Sequence, residues 1–166
     1  KFTNAEICPK PLQKPNPPLW VGGWTEAAMK RTAALGDGWL PAWLLPEDIG
    51  KRFGEVKVMA ESHGRDPEQI HLGIEVYGCI DQDGAKARQD GYGTLAVGQS
   101  TFERMMSVEQ LAAVSLIGSP EEIRQQVKAY SEAGVSHFEI KFIYPSLERH
   151  SEMLQLFARE VLPAFR

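Results

Sequence analysis

The sequence predicts an α/β fold with a parallel sheet, and the arrangement of its segments supports that prediction. Short apolar, strand-like segments alternate along the chain with longer segments of helical periodicity. The helical segments are long enough to cross over the sheet, so successive strands are expected to run parallel with right-handed connections. We identify four such strand–helix units, and a chain of 166 residues can give them a substantial core.

The first two units are predicted from turn and cap residues. A strand over 19–21 ends at two glycines, and Thr25 then caps a helix that Gly36 is expected to end in a left-handed conformation. A second strand at 39–40 leads to a helix that starts near Pro46, where acidic residues in the first turn suit the helix dipole.

The third and fourth units follow the same logic. The third strand covers 70–80, where aliphatic residues alternate with other residues, and two weaker helical stretches interrupted by glycines come after it. Ser119 begins the next helix with a proline and a glutamate at favourable positions. The fourth strand covers 137–144, and the inward residues of the terminal helix are expected to be Leu147, Leu154, Phe157 and Val161.

Charged residues alternate with the aliphatic ones in the last two strands. In a closed barrel the aliphatic faces meet the helices, so Glu75, Glu139 and Lys141 would point into the barrel. We expect Lys141 to form a buried ion pair with Glu75 or with Glu139, because an unpaired interior charge is costly. The alternative is a one-sided sheet whose charged residues simply face water.

Several classes of function are disfavoured by composition. The net charge of −4 comes without a run of one sign, so neither a nucleic acid nor an anionic membrane is an expected partner, and no apolar stretch is long enough to span a bilayer. Cys8 and Cys79 belong to no cluster, so neither a metal site nor a disulfide is expected, and the cytoplasm is the expected compartment. The amino end has no initiating methionine and no apolar leader, which argues against a secretory signal and suggests a piece of a longer protein.

The segment Gly22, Gly23, Trp24 and Thr25 is the most informative candidate site. A strand ends there and a helix begins, so backbone amides and a helix dipole would face a bound phosphate. The alternative, which spacing alone favours, is a tight turn that needs glycine for its backbone angles. Three tryptophans near predicted strand ends form either a pocket wall for a flat ring or part of the core: Trp20, Trp39 and Trp43.

Several segments together resemble the bacterial luciferase-like monooxygenase family. They are 9–11, 13–15, 17–23, Arg31 and 36–39, and the resemblance continues through 118–122 and the strand after Gly134. It implies that residues 1–166 form a single domain, the C-terminal half of a (βα)8 TIM barrel with strands 5 to 8, preceded by an extended proline-rich lead-in at 1–18. A complete barrel needs about 250 residues.

The resemblance also implies a function. Family members use reduced FMN or coenzyme F420, which implies an oxidoreductase or monooxygenase acting on a small organic substrate. The cofactor phosphate would lie near Gly22, Gly23, Trp24 and Thr25, with Leu40 and Pro41 close by. Trp24 departs from the family's usual small residue at its position.

The missing half of the barrel limits what the resemblance implies. No catalytic residue is assigned, because parts of the family's site come from the half that is absent. The unpaired edges near Leu19 and Phe138 are expected to pair with an amino-terminal half or with a second copy. The alternative function is a catalytically inactive half-barrel fragment or a self-assembling binding module.

Overall fold

The structure is a computed structural model that describes residues 8–98 and 106–165, together with Thr3 and Glu6. Its strands are β1 (Trp20–Gly22), β2 (Gly38–Leu40), β3 (His71–Ile80), β4 (Leu116–Gly118) and β5 (His137–Phe142). Its helices are α1 (Glu26–Leu35), α2 (Pro46–Ser62), α3 (Gly84–Gly98), α4 (Val108–Ala113), α5 (Pro120–Glu132) and α6 (Leu147–Glu160).

Every strand pairing in the described sheet is parallel, which confirms the central prediction. β1 pairs with β2, β2 with β3, and β3 with β5, so the four predicted strands lie side by side in chain order. The connections between them contain helices, as parallel neighbours require.

The short strand β4 was missed by the sequence analysis. Along β3, the amide of Glu75 donates to Pro41 O and the amide of Asp81 donates to Gly118 O. The backbone amides of odd-numbered residues in β3 all point toward the same edge of the strand. β2 and β4 therefore pair with successive parts of that edge, and β5 pairs with the opposite edge. Three residues are too few to show a period-two pattern, and this is why no strand was predicted there.

The sheet has two unlike faces, as the alternation in the third strand predicts. Leu72, Ile74 and Val76 are buried on the side that packs against the helices. The other side, which we call the open face, carries Trp20, His71, Glu75, Tyr77 and Lys141, all of them exposed or half-buried. The open face is the side that a closed barrel would turn inward.

The predicted helix starts are confirmed, whereas the left-handed exit at Gly36 is wrong. Thr25 caps α1 by accepting a hydrogen bond from the Ala28 amide, and Ser119 forms a capping box with Glu122. Gly36 has an extended conformation, with φ −83° and ψ 144°. Glycine is required there by close packing, because a Cβ atom would lie 3.1 Å from the Thr32 Cα.

Two further helix predictions need correction. Two helices, α3 and α4, follow β3, but Gly91 and Gly93 do not interrupt the first of them, because α3 continues through both. In α6, Leu147 and Leu154 are exposed by 75% and 45%, so their assignment to the core was wrong. Met153 is fully buried instead, because it lies one turn from Phe157 on the same side of the helix, whereas Leu154 is rotated away by about 100°.

The predicted ion pair forms between Lys141 and Glu75, with 2.5 Å between Nζ and Oε1. The prediction that it is buried was wrong, since the Lys141 side chain is 49% exposed. Both residues lie on the open face, which no described segment covers. The pair therefore gives little stability in this state, as exposed ion pairs generally do.

Candidate functional site

The turn between β1 and α1 forms a small rim at the carboxyl edge of the sheet, which we define as residues 22–25. Gly23 has φ +97°, a conformation that strains any residue with a side chain, so this glycine is required by the turn itself. Thr25 Oγ1 accepts from the Ala28 amide at 3.3 Å. In the described part of the chain, the first two amides of α1 have no acceptor, which is the usual state of a helix start.

Two long side chains hold the rim in place by donating hydrogen bonds to its backbone carbonyls. The Trp39 indole N–H donates to Gly23 O at 2.8 Å, and the Arg52 guanidinium donates to Trp24 O at 2.9 Å. Both hydrogen bonds join residues at least 16 positions apart, so the pattern of neighbouring residues in the sequence could not predict them. Arg52 also adds a positive charge beside the rim, and the negative charge of Glu26 is balanced by Lys30 at 2.6 Å.

The structure places Leu40 beside the rim. It pairs with Gly22 in the register of β1 and β2. Pro41 follows it, but Pro41 is buried and its carbonyl accepts from the Glu75 amide. Of the six residues singled out for the cofactor, Gly22 and Thr25 are exposed, and Gly23, Trp24 and Leu40 are half-buried.

The structure places the three tryptophans, for which a pocket wall and the core were the alternatives, in three different environments. Trp39 is fully buried in the core, and Trp20 lies at the amino end of the open face, packed against His71 and His137. Trp43 alone of the three stands at the carboxyl edge, where its neighbours are Trp24 and Tyr77. Sequence left the alternatives open because a residue's position near a strand does not show which end or face of the sheet its side chain will occupy.

An ionic network lies under the carboxyl end of β3. Arg149 contacts Asp81 and Asp90 and donates to the Ile80 carbonyl, which ties β3 to α3 and α6. Burial opposes the charge of Asp81, but hydrogen bonds from Asp83 and Lys86 and the charge of Arg149 together lower its pKa. Nearby, burial raises the pKa of the Cys79 thiol to about 11, so this cysteine stays protonated at neutral pH and is a poor nucleophile.

Two searches of the described residues were negative. No three histidine, cysteine, aspartate or glutamate side chains in that part of the chain come together as ligands of a metal would. Nor does any described helix combine the length and the apolar character needed to cross a lipid bilayer.

The chain belongs to the luciferase-like monooxygenase family, whose sequence model matches residues 1–137. A curated relative is the FMNH2-dependent dimethylsulfone monooxygenase of Pseudomonas putida, 24% identical over the whole of this chain and 51% of the relative. The chain thus spans about half the length of that relative.

Solved structures agree with the fold. The coenzyme F420-dependent tetrahydromethanopterin reductase of Methanopyrus kandleri matches with a TM-score of 0.70 at 18% identity, over 90% of this chain and 51% of that one. An F420-dependent secondary alcohol dehydrogenase, solved with an F420–acetone adduct, matches with a TM-score of 0.72 at 19% identity, over 90% and 49%. Each is about twice as long as the region matched.

Proposed function

We propose that this chain is the C-terminal half, strands 5 to 8, of a barrel oxidoreductase or monooxygenase that uses reduced FMN or coenzyme F420 on a small organic substrate. Membership of the family supports the class of enzyme. The FMNH2-dependent and F420-dependent relatives support the two cofactors. In this proposal residues 1–166 form one domain.

The observation that carries the proposal is the accessible rim at the carboxyl edge. Parallel α/β folds bind ligands at that edge, and helix starts bind phosphate through free amides and the dipole. The residues fit a phosphate: Gly23 lets the backbone turn, the first amides of α1 lack acceptors, and the Thr25 hydroxyl is exposed. Trp24 does not fill the rim, because its ring packs toward Trp43 at 5.7 Å between centroids.

The cofactor, when bound, would supply the redox chemistry. The protein's part is to bind and orient it. In this proposal the rim holds the phosphate, while Trp39 and Arg52 keep the rim peptide in place through their hydrogen bonds. Leu40, with Pro41 beneath it, forms the adjacent apolar surface.

We further propose that a second half completes the barrel, either an amino-terminal half or a second copy of the chain. Three observations support this. Among the described strands, β1 and β5 are each paired along one edge, and the open face leaves the Glu75–Lys141 pair in contact with solvent. The relatives also extend over about twice the matched length.

The test is a titration of the full chain with FMN, riboflavin and F420, followed by calorimetry. FMN is expected to bind about fivefold more tightly than riboflavin, because only FMN has a phosphate for the rim. Gly23→Ala should remove that difference, since it strains the turn. Gly54→Ala is the matched control, because a Cβ there has open space around it.

Two results would contradict the proposals. Equal affinity for FMN and riboflavin would exclude phosphate binding at the rim, and binding of neither FMN nor F420 by the chain combined with an amino-terminal half would exclude the proposed cofactors. Sedimentation equilibrium of the same sample measures pairing: a dimer is expected for the chain alone, and a chain that stays monomeric and also fails to bind an added amino-terminal half would exclude the completed barrel.

A further inference from the structure

Three aromatic side chains form a row along the carboxyl edge of the open face. Trp24 comes from the rim, Trp43 from the connection between β2 and α2, and Tyr77 from β3. Ring centroids are 5.7 Å apart for Trp24 and Trp43, and 6.5 Å apart for Trp43 and Tyr77, whose planes are within 25° of parallel. All three are half-buried, so part of each ring is accessible. We call this set the aromatic row.

The backbone of Trp43 is unusual. In the described part of the chain it is the one residue other than glycine with a positive φ, 55°. This conformation costs free energy for a bulky side chain, and such strain persists only where the surroundings hold it in place. The flanking residues do so: Ala42 forms a β-bridge with Glu75, and Leu44 O accepts the Tyr130 hydroxyl at 2.8 Å.

The fixed backbone places the Trp43 ring beside Tyr77 on the open face, where both rings are half-buried against the edge of the core. Its position next to the rim is significant, because Trp24 belongs to both features. A ligand held at the rim by one end would therefore extend along the row. Half-exposed aromatic rings bind flat ring systems by stacking and by burial of apolar surface.

We propose that Trp43 is the residue that contacts the planar ring of the bound cofactor, the flavin or the deazaflavin, with Trp24 and Tyr77 beside it. The inference rests on the proposed function and adds to it a second contact region, separate from the phosphate. The left-handed backbone conformation of Trp43 orients its indole toward that ring.

The test measures ring binding apart from phosphate binding and does not depend on turnover. Full chains of the wild type, Trp43→Leu and Trp20→Leu are titrated with FMN and with riboflavin, and quenching of tryptophan fluorescence and the flavin absorption spectrum are recorded. Trp43→Leu is expected to weaken both ligands about tenfold and by the same factor, because the two share the ring. Trp20→Leu, at the far end of the same face, should bind as the wild type does.

A second pair of variants guards against misfolding. Trp43→Asn removes the ring but suits a left-handed backbone, so it should fold normally and lose the same affinity as Trp43→Leu. Trp43→Phe keeps an aromatic face and should recover most of the affinity. Circular dichroism of each variant checks the fold.

The outcomes separate the two proposals. Unchanged flavin affinity in both Trp43→Leu and Trp43→Asn would overturn this inference and leave the proposed function standing. If the wild type binds FMN but not riboflavin, the comparison of wild type with Trp43→Leu is made with FMN alone, and unchanged affinity there overturns the inference. If the wild type binds no flavin and no F420, the proposed function fails, and this inference fails with it.

Discussion

Replacing Arg149 with methionine is expected to lower the free energy of unfolding by about 2 kcal/mol, because the largely buried carboxylates of Asp81 and Asp90 lose one counter-charge and keep Lys86 as their remaining partner. The Arg149 side chain is 14% exposed, and its partners Asp81 and Asp90 are 17% and 19% exposed. Urea unfolding followed by circular dichroism measures the loss. Arg159→Met is the matched control, since that side chain is 68% exposed and should cost less than about 0.5 kcal/mol.

The pH dependence of the same experiment gives a second check. The folded pKa of Asp81 lies below its ordinary value of 3.8. Its stabilising contribution is therefore complete above that value and is lost as the pH falls through the lower folded pKa. The difference between wild type and Arg149→Met should be full at pH 6 and shrink below about pH 4. A difference that stays constant into acid would show that the Arg149 charge is not the cause.

Replacing Trp39 with alanine is expected to cost about 4 kcal/mol of unfolding free energy, the largest effect of a single substitution that we predict. The indole is fully buried, and its removal leaves a cavity beneath the rim and frees Gly23 O. Trp39→Phe separates the two effects. It keeps most of the apolar volume but loses the hydrogen bond, for which about 1 kcal/mol is expected.

The two Trp39 variants also report on the site. If the indole positions the rim, Trp39→Phe should weaken FMN more than riboflavin, since the bond that is lost holds Gly23, which lies at the proposed phosphate position. Equal weakening of both ligands in a well-folded Trp39→Phe would show that the bond to Gly23 serves the core alone.

The parallel sheet could be predicted from sequence because its signals are local. The alternation in β3 and the caps at Thr25 and Ser119 depend on residues within a few positions of one another. The family resemblance then placed the rim at 22–25, and the structure shows an accessible strand-to-helix turn there.

The remaining features depend on contacts between distant segments. Arg52 reaches the rim across 28 positions, and Arg149 reaches Asp81 across 68. Neither arginine belongs to a sequence motif that would have identified it as a contact of these residues. The aromatic row also joins distant segments, since its rings come from the turn after β1, the connection after β2 and β3 itself. The exposed state of Lys141 depends on what lies over the open face.

A crystal structure of the full chain with bound FMN would show directly whether the rim holds the phosphate. We expect phosphate oxygens within about 3 Å of the first amides of α1 and of the Thr25 hydroxyl. Phosphate density at any other position, such as the amino end of the open face beside Trp20, would contradict it.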